Sequence, residues 1–280
     1  MLFVCICFLL YSCFSSIINM PKVSVIMGIY NCGATLQEAL DSLYAQTFQD
    51  FEIILCDDGS TDNTYEVAYK NKQSHPSIIL LQNERNLGLN QTLNNCLAVA
   101  KGTYIARMDG DDRSLPTRFA QEVQFLDEHP EYAIVSGPMN YFDEKGIFRS
   151  GKGRGEVKPL DFVKGSPFCH APCMVRREAY MKVGGYSVGR RLLRAEDYHL
   201  WFKMYAAGFK GYNMTEPIYE MRDDRDAYKR RTWQGRFNNF YVRSIGYRML
   251  KLPFYYQIYA LRPIVVGLLP QSIYRFFHNR

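Results

Sequence analysis

Three carboxylates stand within four residues at the end of an apolar run: Asp109, Asp111 and Asp112 in YIARMDGDDR, residues 104–113. Like charges this close repel, so the arrangement calls for a positive species. A D-x-D pair such as Asp109-Gly110-Asp111 offers the oxygen donors that a hard divalent cation prefers, and Mg2+ or Mn2+ held by one or two carboxylates keeps room for phosphate oxygens. Gly110 removes a side chain where a ligand would approach closely. The chemistry expected is a cation that grips a diphosphate; the plainer alternative is a solvated acidic turn with Asp112 capping a helix. A second acidic pair, Asp57-Asp58, follows FEIILC, and Asp57-Asp58-Gly59-Ser60 would also serve as a turn before a helix. A third pair, Glu196-Asp197, opens AEDYHLWFKMYAAG, where a helix N-terminus favours ionised carboxylates. In strict β alternation Arg107 shares the face of Asp109, and its role stays open.

Elements that must position these groups alternate from Lys22 to about Met108. VSVIMGIY is a continuous apolar run of the kind buried on both faces of a sheet. ATLQEALDSLYAQ places Leu36, Ala39, Leu40 and Leu43 on one helical face. FEIILC, then STDNTYEVAYKNK with Ser60 or Thr61 as N-cap, then SIIL with Leu81, GLNQTLNNCLAVAKG and TYIARM continue a β-α-β-α-β-α-β order. That order predicts a parallel sheet with helices on both faces. Ligands of such sheets bind beyond the carboxyl ends of the strands, so loops from neighbouring strands would bring Asp57, Asp58, Asp109, Asp111 and Asp112 to one rim. Past Pro116 the pattern loosens into a helix at TRFAQEVQFLDEHP, a strand and turn at YAIVSGPMNYFD, a Gly-rich basic loop at GKGRGEVK that reads as mobile surface, and the helix of AEDYHLWFKMYAAG, with Leu200, Trp201 and Met204 facing inward.

The 280 residues are 47% apolar, which allows a sizeable core and excludes global disorder. None of the eight cysteines forms a CxxC pair; Cys56 and Cys96 read as small core residues, and the compartment as reducing. Charge is uneven: from Arg222 to Arg280 there are 12 Lys/Arg against 3 Asp/Glu, while the preceding residues are slightly acidic. A basic tail points to an anionic surface. Its longest apolar run, Pro263 to Pro270, is too short to span a bilayer, and prolines interrupt it. Short amphipathic pieces in a headgroup layer, with Tyr and Phe at the interface, or a helical subdomain packed on the body, both suit it. Residues 1–19 carry no charge and read either as a short hydrophobic leader or as the product of a start assigned ahead of Met20. The organisation expected is a catalytic domain over 20–221, with halves 20–115 and 116–221, and a basic aromatic helical extension over 222–280.

VSVIMGIYN, DDGSTDNT, the long stretch from NERNLGLN to FLDEHPE, HAPCMVRREAYMKVGGY and AEDYHLWFKMYAAG occur in one order over about Val23 to Gly208. Together they resemble family 2 glycosyltransferases of the GT-A fold, inverting enzymes of bacterial surface-polysaccharide synthesis. The resemblance implies a Rossmann-like, mostly parallel central sheet with helices on both faces. It implies that Ile29, Tyr30 and Asn31 line a nucleotide base, although Gly-Ile-Tyr-Asn departs mildly from the usual motif. Asp58 would hydrogen-bond the base, commonly uracil, with Asp57 assisting. Asp109 would contact ribose or sugar, and Asp111, with Asp109, would hold Mn2+ or Mg2+ on the diphosphate. Asp197 would be the base that takes the acceptor's proton, with Glu196 as runner-up or acceptor holder. Gly184, Gly185, Tyr186 and His170 would lie on the acceptor side, and Arg222 would reach the diphosphate when the tail closes. The implied partners are a nucleotide-sugar donor, most often UDP-linked, and a glycan or lipid-linked acceptor, with peripheral contact of the extension at the inner, cytoplasmic face of the cell membrane and no nucleic acid. Two other readings compete. A metal-dependent nucleotidyl- or phosphotransferase would want a phosphate loop near the first strand, and GIYNCGATL lacks its lysine. A nucleic-acid binder using the basic tail would want stacking aromatics on a recognisable module.

Overall fold

The computed structural model describes residues 20–223 and 232–268; the expectations for residues 1–19 and 269–280 lie outside them. Strands β1 (Val23–Ile29) and β2 (Phe51–Asp57) are buried along nearly their whole length, which is why they read as unbroken apolar runs. Helix α1 (Leu36–Tyr44) joins them and buries Leu36, Ala39, Leu40 and Leu43, the positions its period assigns inward. α2 (Thr64–Ser74), β3 (Ile78–Gln82), α3 (Leu89–Val99) and β4 (Tyr104–Arg107) complete the alternation. β1 pairs in parallel with β2 and with β4, and β2 with β3. The chain thus steps outward from β1 to β3 and returns to the other side of β1 as β4. That reversal is the switch point at which an open sheet leaves a crevice beyond its strand ends.

The chain continues through β5 (Arg113–Ser114), α4 (Arg118–Glu128), β6 (Ile134–Ser136), β7 (Met139–Asp143), β8 (Gly146–Ser150), β9 (Gly155–Val157), β10 (Met174–Arg176), α5 (Arg177–Val183), α6 (Glu196–Ala206), β11 (Gly211–Asn213) and β12 (Tyr219–Arg222). The main sheet has the order β3-β2-β1-β4-β10-β6-β11-β9, and a smaller one the order β5-β12-β7-β8. β10 runs antiparallel between β4 and β6, so the halves expected on either side of residue 115 share one sheet. The acidic loop after β4 leaves the main sheet and enters the smaller one at β5. Side-chain alternation along the strands divides the core in two. Val25, Met27, Ile53, Leu55 and Ala106 pack with α1 and α4, while Ile26, Ile54, Ile105 and Val175 pack with α3, α5 and α6.

One local expectation changes. α2 starts at Thr64, and neither Ser60 nor Thr61 caps it. Asp62 dresses that end instead, accepting from the Thr64 amide (3.0 Å) and hydroxyl (2.6 Å).

Of the two readings of the tail, packing on the body describes α7 (Trp233–Met249). Val242 and Tyr247 belong to the same core cluster as Leu200 and Phe202 of α6. Buried Arg243 donates to the Val163 carbonyl (3.1 Å). The boundary expected after Met221 cuts β12, whose last residue is Arg222. A 3-10 segment (Phe254–Leu261) and α8 (Arg262–Leu268) follow. These leave Phe254, Tyr255, Ile258, Leu261, Val265 and Leu268 exposed. No helix among the described residues is long and apolar enough to cross a membrane.

Tyr247 is fully buried against Phe202, with ring centroids 5.9 Å apart. Tyr247→Ala is expected to destabilise the chain by about 3–5 kcal/mol. Calorimetry should show one cooperative transition at lower temperature, whereas a separate low-temperature transition with the main one unmoved would mark the extension as an independent unit.

Candidate active site

Three loops meet beyond the ends of β1, β2 and β4. The first turns at Asn31, which adopts the left-handed φ of 47° that Asn tolerates. Its amide donates to the Ser60 hydroxyl (3.0 Å), and its side-chain oxygen accepts from the Thr61 amide (2.9 Å). The Thr35 hydroxyl donates to the Gly110 carbonyl (2.9 Å), joining the first loop to the acidic one. A Cβ on Gly110 would come within 2.7 Å of the Cys32 sulfur. Packing of protein on protein therefore accounts for this glycine, where the sequence suggested room for a ligand. On the same loop Ile29 is buried, while Tyr30 and Asn31 reach solvent.

Asp57 and Asp58 both lie at the end of β2 and are almost wholly buried. Asp58 accepts from the Asn83 side chain (2.8 Å) and from the amides of Leu87 (2.7 Å) and Gly88 (2.9 Å). A carboxylate so engaged anchors the 83–88 loop. Asp57 accepts only long bonds, from the Ser60 amide (3.3 Å) and the Gln82 side chain (3.5 Å).

Arg107, the last residue of β4, is buried and ion-paired with Asp109. Burial alone would lower its pKa, but Asp109, Tyr186, Tyr219 and Asp112 carry it upward, so the guanidinium stays charged. Asp109 is partly exposed, and its amide donates to the Tyr219 hydroxyl (3.2 Å). Asp112 is 2% exposed and accepts from the Arg222 amide (2.8 Å). Burial, then the charges of Asp109 and Asp111, push its carboxyl up. Asp111 stands at the open side of the loop. Its carboxyl is raised by partial dehydration and by Asp109, against the pull of Arg107 and Arg222.

Across Arg107 lies the start of α6. Asp197 accepts from the Ser166 hydroxyl (3.3 Å). Burial raises the Asp197 carboxyl, with its own backbone contacts, Ser166 and Arg107 opposing. Glu196 is raised in the same way and leaves one buried oxygen without a partner among the described residues. Arg107 therefore acts electrically on both acidic sets, Asp109 with Asp111 and Glu196 with Asp197.

His170 and Tyr186 sit behind this centre. The His170 ring bonds the Tyr186 hydroxyl (2.8 Å), and burial, then the Arg107 charge, hold its imidazole well below its ordinary pKa and neutral. Tyr186 is 2% exposed, and its amide donates to Asn94 of α3 (2.8 Å). A Cβ on Gly185 would come within 2.6 Å of the Asn94 side-chain oxygen, and Gly184 is the left-handed C-cap of α5. Thus Gly185 and Tyr186 lie close on α3, while Gly184 supplies only the left-handed turn that ends α5. Arg222 needs no closure of the tail to stand beside the acidic loop. It belongs to the folded body, with its guanidinium on Glu38 and on the Asp111 carbonyl (3.1 Å).

The donor set suits a hard cation. Asp109 and Asp111 supply carboxylate oxygens, and burial, then the Asp109 charge, raise the Asp111 carboxyl against Arg107 and Arg222. No group of three or more His, Cys, Asp or Glu forms a cage among the described residues. An ion here would draw its other ligands from outside the protein, as Mg2+ and Mn2+ on phosphates do. Sequence reasoning left Arg107 without a role, although its i−2 spacing from Asp109 was the signal. It missed Asn83, Tyr219 and Ser166; nothing in the sequence marks Ser166 as a neighbour of Asp197.

Residues 24–184 match the family described as glycosyl transferase family 2. The chain is 42% identical over 262 residues to the putative glycosyltransferase EpsE of Bacillus subtilis, covering 93% of this chain and 94% of that one. It is 30% identical to an Escherichia coli enzyme, the UDP-Glc:alpha-D-GlcNAc-diphosphoundecaprenol beta-1,3-glucosyltransferase WfaP, over 69% and 74% of the two chains. Among solved structures it resembles residues 1–349 of S. aureus TarS in complex with UDP-GlcNAc, with a TM-score of 0.66, 18% identity and coverage of 90% and 82%; that likeness bears on the GT-A fold alone.

Asp58→Ala would leave the Leu87 and Gly88 amides and the Asn83 side chain without their acceptor. Stability is expected to fall by about 1.5–3 kcal/mol, with faster hydrogen exchange at Leu87 and Gly88. Unchanged protection of those two amides would contradict the anchoring role.

Proposed function

The chain belongs to glycosyltransferase family 2, and from that premise we propose that it moves a sugar from a UDP-linked donor to a hydroxyl of a lipid-linked glycan, inverting the anomeric carbon. That it is a nucleotide-sugar glycosyltransferase of polysaccharide biosynthesis follows from the family and its relatives and displaces the nucleotidyl- and phosphotransferase reading. The observation that carries the finer proposal is the buried Arg107 with an acidic set on either side.

In this reading the donor's diphosphate lies at Asp109 and Asp111, and the acceptor hydroxyl at Asp197. Mn2+ or Mg2+, held by Asp111 and the oxygen of Asp109 that Arg107 leaves open, would supply positive charge to the leaving diphosphate. Tyr30 and Asn31, both exposed at the rim, line the base in this reading, while Asp58 shapes that side through the 83–88 loop. Asp197 takes the acceptor's proton. A carboxylate raised above its ordinary range is the stronger base near neutral pH, and the start of α6 keeps its ionised form accessible. Glu196 orients the acceptor. Arg107 remains charged throughout and holds Asp109 in place. WfaP is named for a diphosphoundecaprenol-linked acceptor, and an acceptor of that class gives the exposed apolar residues of 254–268, beside basic side chains such as Lys251 and Arg262, a membrane surface to meet. We place the chain accordingly at the inner face of the cell membrane.

Asp111→Ala is expected to abolish the Mn2+-dependent part of UDP binding, measured by calorimetry with and without EDTA. Asp197→Asn should bind UDP as before and lose transfer by about 10^2–10^4-fold; normal transfer would remove Asp197 from the role of base. Because burial raises the Asp197 carboxyl, the base is protonated, and transfer falls, at a higher pH than for a free carboxylate. A kcat profile with its acid limb at the ordinary aspartate range would contradict this.

A further inference from the structure

Next to Asp197 the structure holds a cleft of about 730 Å³ that the donor side does not use. Its wall reaches Asp197 through Ser166, whose hydroxyl bonds that carboxylate. None of its lining comes from the rim loops at 29–35, 57–64 or 108–112. Lys152, Arg154, Lys164 and Arg262 line it against Glu156 and Asp161, a surplus of two positive charges. Lys164 is paired to Asp161 (3.1 Å), which leaves Lys152, Arg154 and Arg262 as its more open cations. Arg262 donates one hydrogen bond, to the Lys164 carbonyl (2.5 Å), and its fork carries five donors.

Lys152 and Arg154 belong to GKGRGEVK, the stretch that reads from sequence as mobile surface. In the structure it is pinned. β9 pairs with β11, and a Cβ on Gly153 would fall 1.5 Å from the Met214 carbonyl oxygen, so the backbone lies flat on residues 214 and 215. The backbone that carries the two cations is thereby fixed. Arg262 directly follows the exposed Leu261, in a segment that also exposes Phe254, Tyr255 and Ile258. The cleft thus combines net positive charge, a link to the proposed base through Ser166 and an adjoining exposed apolar segment.

We infer that this cleft holds the diphosphate of a prenyl-diphosphate-linked acceptor, presenting its sugar hydroxyl to Asp197 while the prenyl chain leaves across residues 254–265. A diphosphate diester carries two negative charges, which match the surplus. The inference rests on the glycosyl-transfer reading above and adds to it the place where the acceptor's head group is recognised.

The test uses the full chain in EDTA, which removes any divalent ion that would draw diphosphate to Asp109 and Asp111. Binding of farnesyl diphosphate and of inorganic diphosphate is measured by calorimetry for the wild type and for Lys152→Ala/Arg154→Ala. Farnesyl diphosphate should bind at least about tenfold more tightly than the inorganic ion, and the double variant should weaken both by about tenfold or more. Mn2+-dependent UDP binding of the variant should stay at the wild-type value, which also reports that it is folded. Absence of metal-free diphosphate binding, or binding that the double variant leaves intact, overturns the proposal. Equal affinity for the two probes overturns its lipid-linked part and assigns the cleft to free diphosphate. Loss of Mn2+-dependent UDP binding by the wild type would instead strike the glycosyl-transfer reading, a separate result.

Discussion

A guanidinium taken out of water is costly unless anions surround it, and the end of β4 is organised by that constraint. Arg107 is 6% exposed, ion-paired with Asp109, and close enough to Asp111, Asp197 and Glu196 to stabilise the charge of each. Acidic groups from two distant parts of the chain would otherwise repel one another across the crevice. A buried cation between them makes their convergence tolerable, and its own charge is in turn made tolerable by them. At the same strand end Arg118, fully buried and paired with Glu122, donates to the Arg107 carbonyl (2.9 Å) and more weakly to those of Ala171 and Cys173 (both 3.4 Å). One arginine thus fixes the backbone from which the other projects.

The sheet decides where this can happen. Only at the switch between β1 and β4 do loops diverge to opposite sides and leave room for a ligand. There the first and second loops are knitted by Asn31, Ser60 and Thr61, and the first and third by Thr35 and Gly110. The acidic loop is held from its far side as well, by the Tyr219 hydroxyl at Asp109 and the Arg222 amide at Asp112. Both come from β12 of the smaller sheet, so the chain past residue 116 contributes to the acidic rim too.

Features that depend on local period were legible in the sequence. The strands, the inward face of α1 and the acidic strand ends follow from spacing and from which residues a double-sided sheet can bury. The carboxylates of Asp109, Asp111, Glu196 and Asp197 could be named because their types and positions announce a charge problem. What escaped reading depends on a partner remote in sequence. Nothing in the spacing showed that Asp58 holds Asn83 and the Leu87 and Gly88 amides. Gly110 and Gly185 looked like openings for ligands, yet Cys32 and Asn94 occupy the space. GKGRGEVK looked loose because nothing in it says that β11 will lie beside it. A glycine reports that something comes close, and only the fold says what.

The C-terminal helices bear on the chemistry through the core. Val242 and Tyr247 of α7 share a cluster with Leu200, Phe202 and Met204 of α6, whose first turn carries Glu196 and Asp197. That helix is therefore clamped between the main sheet and α7, and Arg243 adds a bond to Val163, three residues before Ser166. Packing this dense transmits displacement. The exposed surface of residues 254–268 is thus linked through α7 to the helix that carries Asp197. On the proposed reading, orientation of the chain on a bilayer and orientation of Asp197 toward the acceptor would be one geometric condition.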